Sequence, residues 1–232
     1  MAKFRALLWL SIVVGTGSLI FRQGLVPPKL SPVPALNLDY RGGWLVDWQL
    51  AEIRRDANLC ARVIKNPNID AKPIADLPLA EGCGLKNGVR VSAAGGARMP
   101  VDKLTCEAAV AVALWLTHEV QPMAELLLGQ RIVAVQHMGS YSCRNIATTK
   151  IWNNIRSEHA TANALDVKGF TLANGRIITV EKNWRDDGAD GQFLRAIHDR
   201  ACRYFRVVLG PNYNELHKDH FHMDRGILAR CR

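Results

Sequence analysis

Three of the seven histidines in this 232-residue chain fall within six positions, in His217-Lys218-Asp219-His220-Phe221-His222. In an extended strand residues i and i+2 point to the same face, so His220 and His222 can share one small volume while Phe221 faces the other side. Imidazole is the commonest zinc ligand at neutral pH, and a catalytic zinc takes three protein ligands and keeps a fourth position open. A structural or surface pair would leave the same His-x-His in the sequence. A second constellation runs from Ser157 to Asp166, with His159 and Asp166 seven positions apart and Asp166 inside an apolar strand. A carboxylate in such a strand needs a partner. A neighbouring Lys or Arg would serve as well as a metal, and His159 would then be an ordinary loop residue.

These residues need a sheet to hold them. Asn163 to Leu172 and Gly175 to Val180 read as two strands joined by Ala173-Asn174-Gly175, where Asn-Gly supplies the positive φ angles of a tight hairpin. Val207-Val208-Leu209 and the segment around His220 to Met223 read as two more strands, and Arg131 to His137 as another. The turn Gly139-Ser140-Tyr141 would present Arg144. Thr105 is placed to cap a helix from Cys106, with Ala108, Val112, Trp115, Leu116, Val120 and Met123 at helical spacing, and Ala124 to Leu128 continuing it. Phe193, Leu194, Ile197, Ala201 and Phe205 mark a further helix face. Residues 50 to 103 give only short strand or helix candidates broken by Gly and Pro. The expected class is α+β, a mainly antiparallel sheet flanked by helices with the metal site on the sheet.

The N-terminus carries Lys3 and Arg5, then an apolar run from Ala6 to Phe21, and stops at Arg22. It reads as an export signal, one that stays as a transmembrane anchor over residues 1–26 in preference to a cleaved signal peptide, for which Gly15-Thr16-Gly17 offers small residues, with Lys3 and Arg5 in the cytoplasm. Four prolines between Pro27 and Pro34 make an extended spacer over residues 27–39, and the domain proper is expected over 40–232. The six cysteines, at 60, 83, 106, 143, 202 and 231, include no Cys-x-x-Cys, so three disulfides in an oxidising compartment are expected, with the connectivity left open. An excess of 30 Lys+Arg over 21 Asp+Glu favours polyanions. The basic residues are scattered, however, with only short pairs such as Arg54-Arg55, and nucleic acid is not an expected partner.

The two histidine-bearing pieces together, His-x6-Asp followed by His-x-His, resemble the zinc peptidases grouped around D-alanyl-D-alanine carboxypeptidases, penicillin-insensitive murein endopeptidases and lysostaphin-type enzymes. Ser140-Tyr141-Ser142-Cys143-Arg144, Ser157-Glu158-His159, Ala164 through Phe170, Phe193-Leu194, Leu209-Gly210-Pro211 and His217 through Asp224 resemble, in that order, the bacterial extensin-like C-terminal domain family from roughly Cys60 to the end. The resemblance implies one zinc ion per chain on His159, Asp166 and His222. The His217-x-x-His220-x-His222 spacing is similar to that of the murein endopeptidases, whose additional histidines serve catalysis. The carboxypeptidases instead place a glutamate base near this strand, and here Glu215 stands outside the matching position. Ala162 occupies a place where relatives often have Gly.

The expected activity is therefore zinc-dependent hydrolysis of peptidoglycan stem or cross-link peptides, of D,D- or L,D-type. Zinc lowers the pKa of a water to roughly 7 and polarises a carbonyl. His220 is the first choice for the base and His217 the second, or a group that stabilises the oxyanion or protonates the leaving amine. Arg144 could bind a substrate carboxylate bidentately, unless it forms a structural ion pair. Ser157 and Asp224 read as supporting or capping residues, and His118, His137 and His198 as structural histidines. The expected location is the inner membrane, single-pass, with the domain in the periplasm. The rival expectation is a wall-binding or scaffolding domain that keeps the fold without turnover. A third is an anchored protein that binds anionic lipid or nucleic acid by charge.

Overall fold

The computed structural model describes residues 2–22, 33–146 and 154–232. In chain order the elements are α1 (Ala2–Arg22), α2 (Val46–Ile53), α3 (Ala57–Val63), β1 (Ile69–Pro73), β2 (Leu77–Ala80), β3 (Cys83–Leu85), β4 (Gly88–Ala94) and β5 (Ala97–Thr105). Then follow α4 (Cys106–Trp115), α5 (Gln121–Leu128), β6 (Ile132–Gly139), β7 (Ala164–Leu172), β8 (Ile177–Thr179), α6 (Val180–Asn183), α7 (Ala189–Ala201), β9 (Val207–Leu209), β10 (Phe221–Asp224) and β11 (Arg230–Cys231).

The apolar alternation of β7 and β10 sets the architecture. Leu165 and Val167 of β7, and Phe221 and Met223 of β10, enter the core. Asp166 and His222 alternate with them and point to the other face. The main sheet is ordered β1-β4-β5-β6-β7-β10-β9-β11, with β8 paired to β7. Its pairs are antiparallel except β5 with β6 and β11 with β9, so the expected α+β class with a mainly antiparallel sheet holds.

Thr105 caps α4, its hydroxyl accepting from Ala108 N at 3.3 Å. Every residue of α4 is buried, as befits a helix that is apolar all round and therefore central. Trp115 at its end donates Nε1–H to the Ile197 carbonyl at 2.9 Å and meets Phe170 at 6.0 Å between ring centroids, tying α4 to α7 and β7. A π-turn, Leu116–Val120, leads into α5, which ends at Gly129 in the left-handed conformation.

Residues 50 to 103, read from sequence only as short broken candidates, lie in α2, α3 and β1 to β5 and the links between them. Buried charges hold them to the C-terminal half. Arg225, 1 % exposed, reaches Asp47 Oδ1 at 2.6 Å and Glu107 Oε1 at 2.8 Å, while Arg54 reaches Glu107 Oε2 at 2.5 Å and Arg206 reaches Asp47 Oδ1 at 2.9 Å. Buried ion pairs of this kind specify an arrangement more than they stabilise it. Here they fix the chain just past β10. All six cysteines are paired, as Cys60–Cys106, Cys83–Cys143 and Cys202–Cys231.

The N-terminal segment forms α1, with Phe4, Leu7, Trp9 and Val13 exposed. Among the described residues no helix is long and apolar enough to cross a membrane. Gly15-Thr16-Gly17-Ser18 interrupts the apolar run of α1, and Arg5 lies in its first turns. The expected proline-rich spacer lies outside the described residues up to residue 32. Beyond it Leu36 and Leu38 belong to the core, and Pro34 O accepts from Gln49 Nε2 at 2.8 Å, so the later part of that segment packs on the domain.

Candidate metal centre

β7 and β10 run antiparallel with His222 directly opposite Asp166. Opposed residues on one face stand about 5 Å apart at Cβ, close enough for their side chains to converge. His159 comes from a 3-10 turn, Glu158–Thr161, that precedes β7. Ser157 caps that turn by accepting from His159 N at 3.4 Å, and Ala162 closes it in the left-handed conformation at φ +52°. An alanine pays a steric penalty there that a glycine would not. Thr105 N donates to the Ala162 carbonyl at 2.8 Å, which holds the turn against the end of β5.

The three side chains meet closely. His159 Nε2 lies 3.1 Å from Asp166 Oδ1 and 3.1 Å from His222 Nδ1, and His222 Nδ1 lies 3.0 Å from Asp166 Oδ1. The outer nitrogens fix the tautomers. His159 Nδ1–H donates to the Ser140 carbonyl at 3.1 Å, and His222 Nε2–H donates to Asp224 Oδ2 at 3.0 Å. Both partners only accept, so each ring, when neutral, turns a lone pair toward the centre, where the Asp166 carboxylate already faces. Gly139, at φ +113°, turns the chain out of β6 and sets that Ser140 carbonyl in place. Three electron-rich atoms at 3.0–3.1 Å repel one another unless a cation lies among them. Zinc with bonds of about 2.0 Å would separate tetrahedral ligands by about 3.3 Å, so the donor set fits a tetrahedral metal.

The electrostatics agree. Burial opposes charge on Asp166, but hydrogen bonds from His159 and His222 and their charges hold its carboxyl far below the usual carboxylate range. Burial likewise opposes charge on His222, yet the hydrogen bonds to Asp166 and Asp224 and their charges push it up to about 9. In the metal-free protein a proton thus takes the place that a metal would take.

His220 directly precedes β10 and turns Nε2 toward the same centre, 3.8 Å from Asp166 Oδ1. Its Nδ1 bonds to Asp219 Oδ1 at 2.8 Å. His217 stacks beside it, with ring centroids 5.3 Å apart, and its Nδ1 bonds to Asn214 Oδ1 at 2.6 Å. Burial and the charges of His222 and His220 push His217 down to about 4, so it is neutral at physiological pH. With Nδ1–H donating to Asn214, its Nε2 carries the free lone pair.

Arg144 is exposed, and its charge is felt at His217. Its side chain makes no ion pair among the described residues. The Cys83–Cys143 disulfide and the bond from Ser157 N to the Arg144 carbonyl, 3.1 Å, pin its segment beside the centre. Glu215 does not join the cluster: its side chain is 82 % exposed and paired with Lys218 at 2.6 Å. A cavity of about 660 Å³, lined by Arg54, Thr105, Glu158 and Asn163 among others, opens behind the turn that carries His159 and not at the triad.

Asp219 and Asn214, which orient His220 and His217, were not singled out from the sequence. Their signals are the Asp-His pair at 219–220 and an asparagine three positions before His217. The Ser140 carbonyl leaves no side-chain signature. His118 bonds the Leu38 carbonyl at 2.9 Å and His137 the Pro100 carbonyl at 3.0 Å, and His198 packs between Trp184 and Phe221, all in structural roles.

The model of the family described as extensin-like protein C-terminus matches residues 58–232, most of the chain. No curated protein and no solved structure matches it.

Proposed function

The chain belongs to the extensin-like C-terminal family, and we propose that it is a zinc-dependent hydrolase of peptidoglycan stem or cross-link peptides. One observation carries this reading: His159, Asp166 and His222 bring three potential ligand atoms to one point, with each imidazole held by an acceptor on its outer nitrogen. Zinc held there would act as a Lewis acid toward the scissile carbonyl and make water available as a nucleophile at neutral pH.

The chain's own residues supply the rest. His220, with Nδ1 held by Asp219, accepts a proton at Nε2 on the side facing the triad. His217 provides a second neutral acceptor beside it. Arg144 offers a guanidinium to a carboxylate, as found at the D-alanine or diaminopimelate ends of stem peptides. The export reading rests on Lys3 and Arg5 before the apolar run of α1, and on the three disulfides. On this reading residues 1–26 together form a single-pass anchor in the inner membrane and the domain lies in the periplasm.

A second reading, a wall-binding domain without turnover, is favoured by the position of Glu215, which points to solvent and leaves no glutamate base at the centre. Mass spectrometry of muropeptides after incubation with the protein, with and without chelator, separates the two. New amide-cleavage products that vanish with chelator are expected. Intact muropeptides retained by a zinc-loaded protein would favour the second reading.

A further inference from the structure

Away from the triad, the start of the domain presents an aromatic and basic face. Tyr40 is 70 % exposed and Trp44 82 % exposed, and the Trp44 and Trp48 rings meet edge to face at 5.7 Å. Glu119, 2 % exposed, lies beneath and gathers Arg41 at 2.6 Å, Arg200 at 3.6 Å and Arg203 at 4.0 Å. Three guanidiniums around one carboxylate leave a local excess of positive charge, each guanidinium 39–50 % exposed, with the exposed carboxylates of Asp39 and Asp199 next in sequence to Tyr40 and Arg200. Arg203 Nη1 donates to the Gly42 carbonyl at 3.4 Å, and the Tyr204 hydroxyl bonds to the Arg41 carbonyl at 2.9 Å. The basic cluster and the aromatic segment are therefore one surface.

Exposed tryptophan and tyrosine beside arginine is the chemistry of a membrane interface, where indole and phenol rings sit at headgroup level and cations meet anionic lipid. Tether length points the same way. The chain packs on the domain from Pro34, twelve residues after Arg22, and those residues span at most about 40 Å when fully extended. With α1 in a bilayer, the face around residues 34–48 is the one that the tether brings nearest to it.

We infer that this face, through Trp44, Tyr40, Arg41, Arg200 and Arg203, docks the domain on a bilayer rich in anionic headgroups. The inference rests on the anchor reading for its setting, but the contact is made by the domain itself and not by α1. It would hold the metal centre at a fixed orientation to the membrane.

The test uses the fragment 34–232, which carries the whole core and all three disulfides while α1 supplies no core residue. Sedimentation is measured with vesicles of phosphatidylglycerol and phosphatidylethanolamine, and with phosphatidylcholine alone. The fragment is expected to bind the anionic vesicles, to release with salt and to ignore the neutral ones. Arg200→Gln should weaken binding about fivefold. Trp44→Ala should weaken it further, with an unchanged melting temperature because Trp44 is exposed. No binding to anionic vesicles, or undiminished binding by a variant that combines Arg200→Gln with Trp44→Ala, overturns the inference. Binding to purified sacculi but not to vesicles also overturns it and assigns the face to the wall polymer. Because the fragment lacks α1, these outcomes are independent of whether the full chain fractionates with membranes, which tests the anchor.

Discussion

Removing the Asp224 carboxylate should loosen the metal centre without touching a ligand. Asp224 is 6 % exposed, accepts from His222 Nε2 at 3.0 Å, and accepts from Gly226 N at 2.9 Å through its other oxygen. In Asp224→Ala the neutral His222 ring, the form that binds metal, loses the bond that keeps its remaining proton on Nε2, so the tautomer with Nδ1 protonated, which cannot bind a metal through that atom, gains population. Losses of this kind cost about 10- to 100-fold in metal affinity, or about 1.4–2.7 kcal/mol. The Gly226 N–H is also left without its acceptor, which costs a further ~1–3 kcal/mol of fold stability. Zinc affinity is to be measured by competition with a chromophoric chelator, alongside thermal unfolding of the metal-free protein to separate the two effects. Ser140→Ala is the control: it keeps the backbone carbonyl that holds His159, so its affinity should stay near wild type. A folded Asp224→Ala that binds zinc as tightly as wild type, or a Ser140→Ala that loses as much, would refute the argument from fixed tautomers.

Three further outcomes are expected. His220→Ala should keep the metal and lose about 10²- to 10⁴-fold in muropeptide hydrolysis, whereas Glu215→Gln, exposed and paired with Lys218, should change little; the reverse pattern in a side-by-side assay would move the base to Glu215. Because His222 is pushed up to about 9 in the metal-free protein, it holds its proton below that pH and must release it to bind metal. Zinc affinity should therefore rise about tenfold per pH unit through neutrality, with about one proton released, and calorimetry in buffers of different ionisation enthalpy reads this directly; proton-independent binding would contradict it. Replacing Cys83 and Cys143 by Ser opens a link between residues 60 positions apart and should cost about 2–4 kcal/mol in denaturant unfolding. The same variant should raise KM more than it lowers kcat, since the link holds the segment of Arg144; an unchanged KM would separate Arg144 from substrate binding.

Much of the centre was legible in the sequence because strand chemistry is local. Leu165-Asp166-Val167 and Phe221-His222-Met223 each place one polar residue between two core residues, and that alternation alone puts Asp166 and His222 on the face away from the helices. What the sequence could not give is the register that sets His222 opposite Asp166, since register depends on pairing between segments 56 residues apart. Thr105 announced the start of α4 through its side chain. Of the five strands before it, β1 to β3 span only three to five residues, too few for a period to register, whereas β5 does alternate, with Ala97, Met99 and Val101 inward and Arg98, Pro100 and Asp102 outward. The buried links from Asp47, Arg54 and Glu107 to Arg225 join distant parts of the chain and look like ordinary surface charges in sequence.

The ligand assignment is open to one measurement, elemental analysis of metal in protein purified without chelator, for wild type and single alanine variants. Wild type should carry one zinc per chain, as a set of two imidazoles and one carboxylate requires. His159→Ala, Asp166→Ala and His222→Ala should each lose it, and His217→Ala and His220→Ala should retain it. A wild type without stoichiometric metal, or a His222→Ala variant that holds its zinc undiminished, would contradict the account.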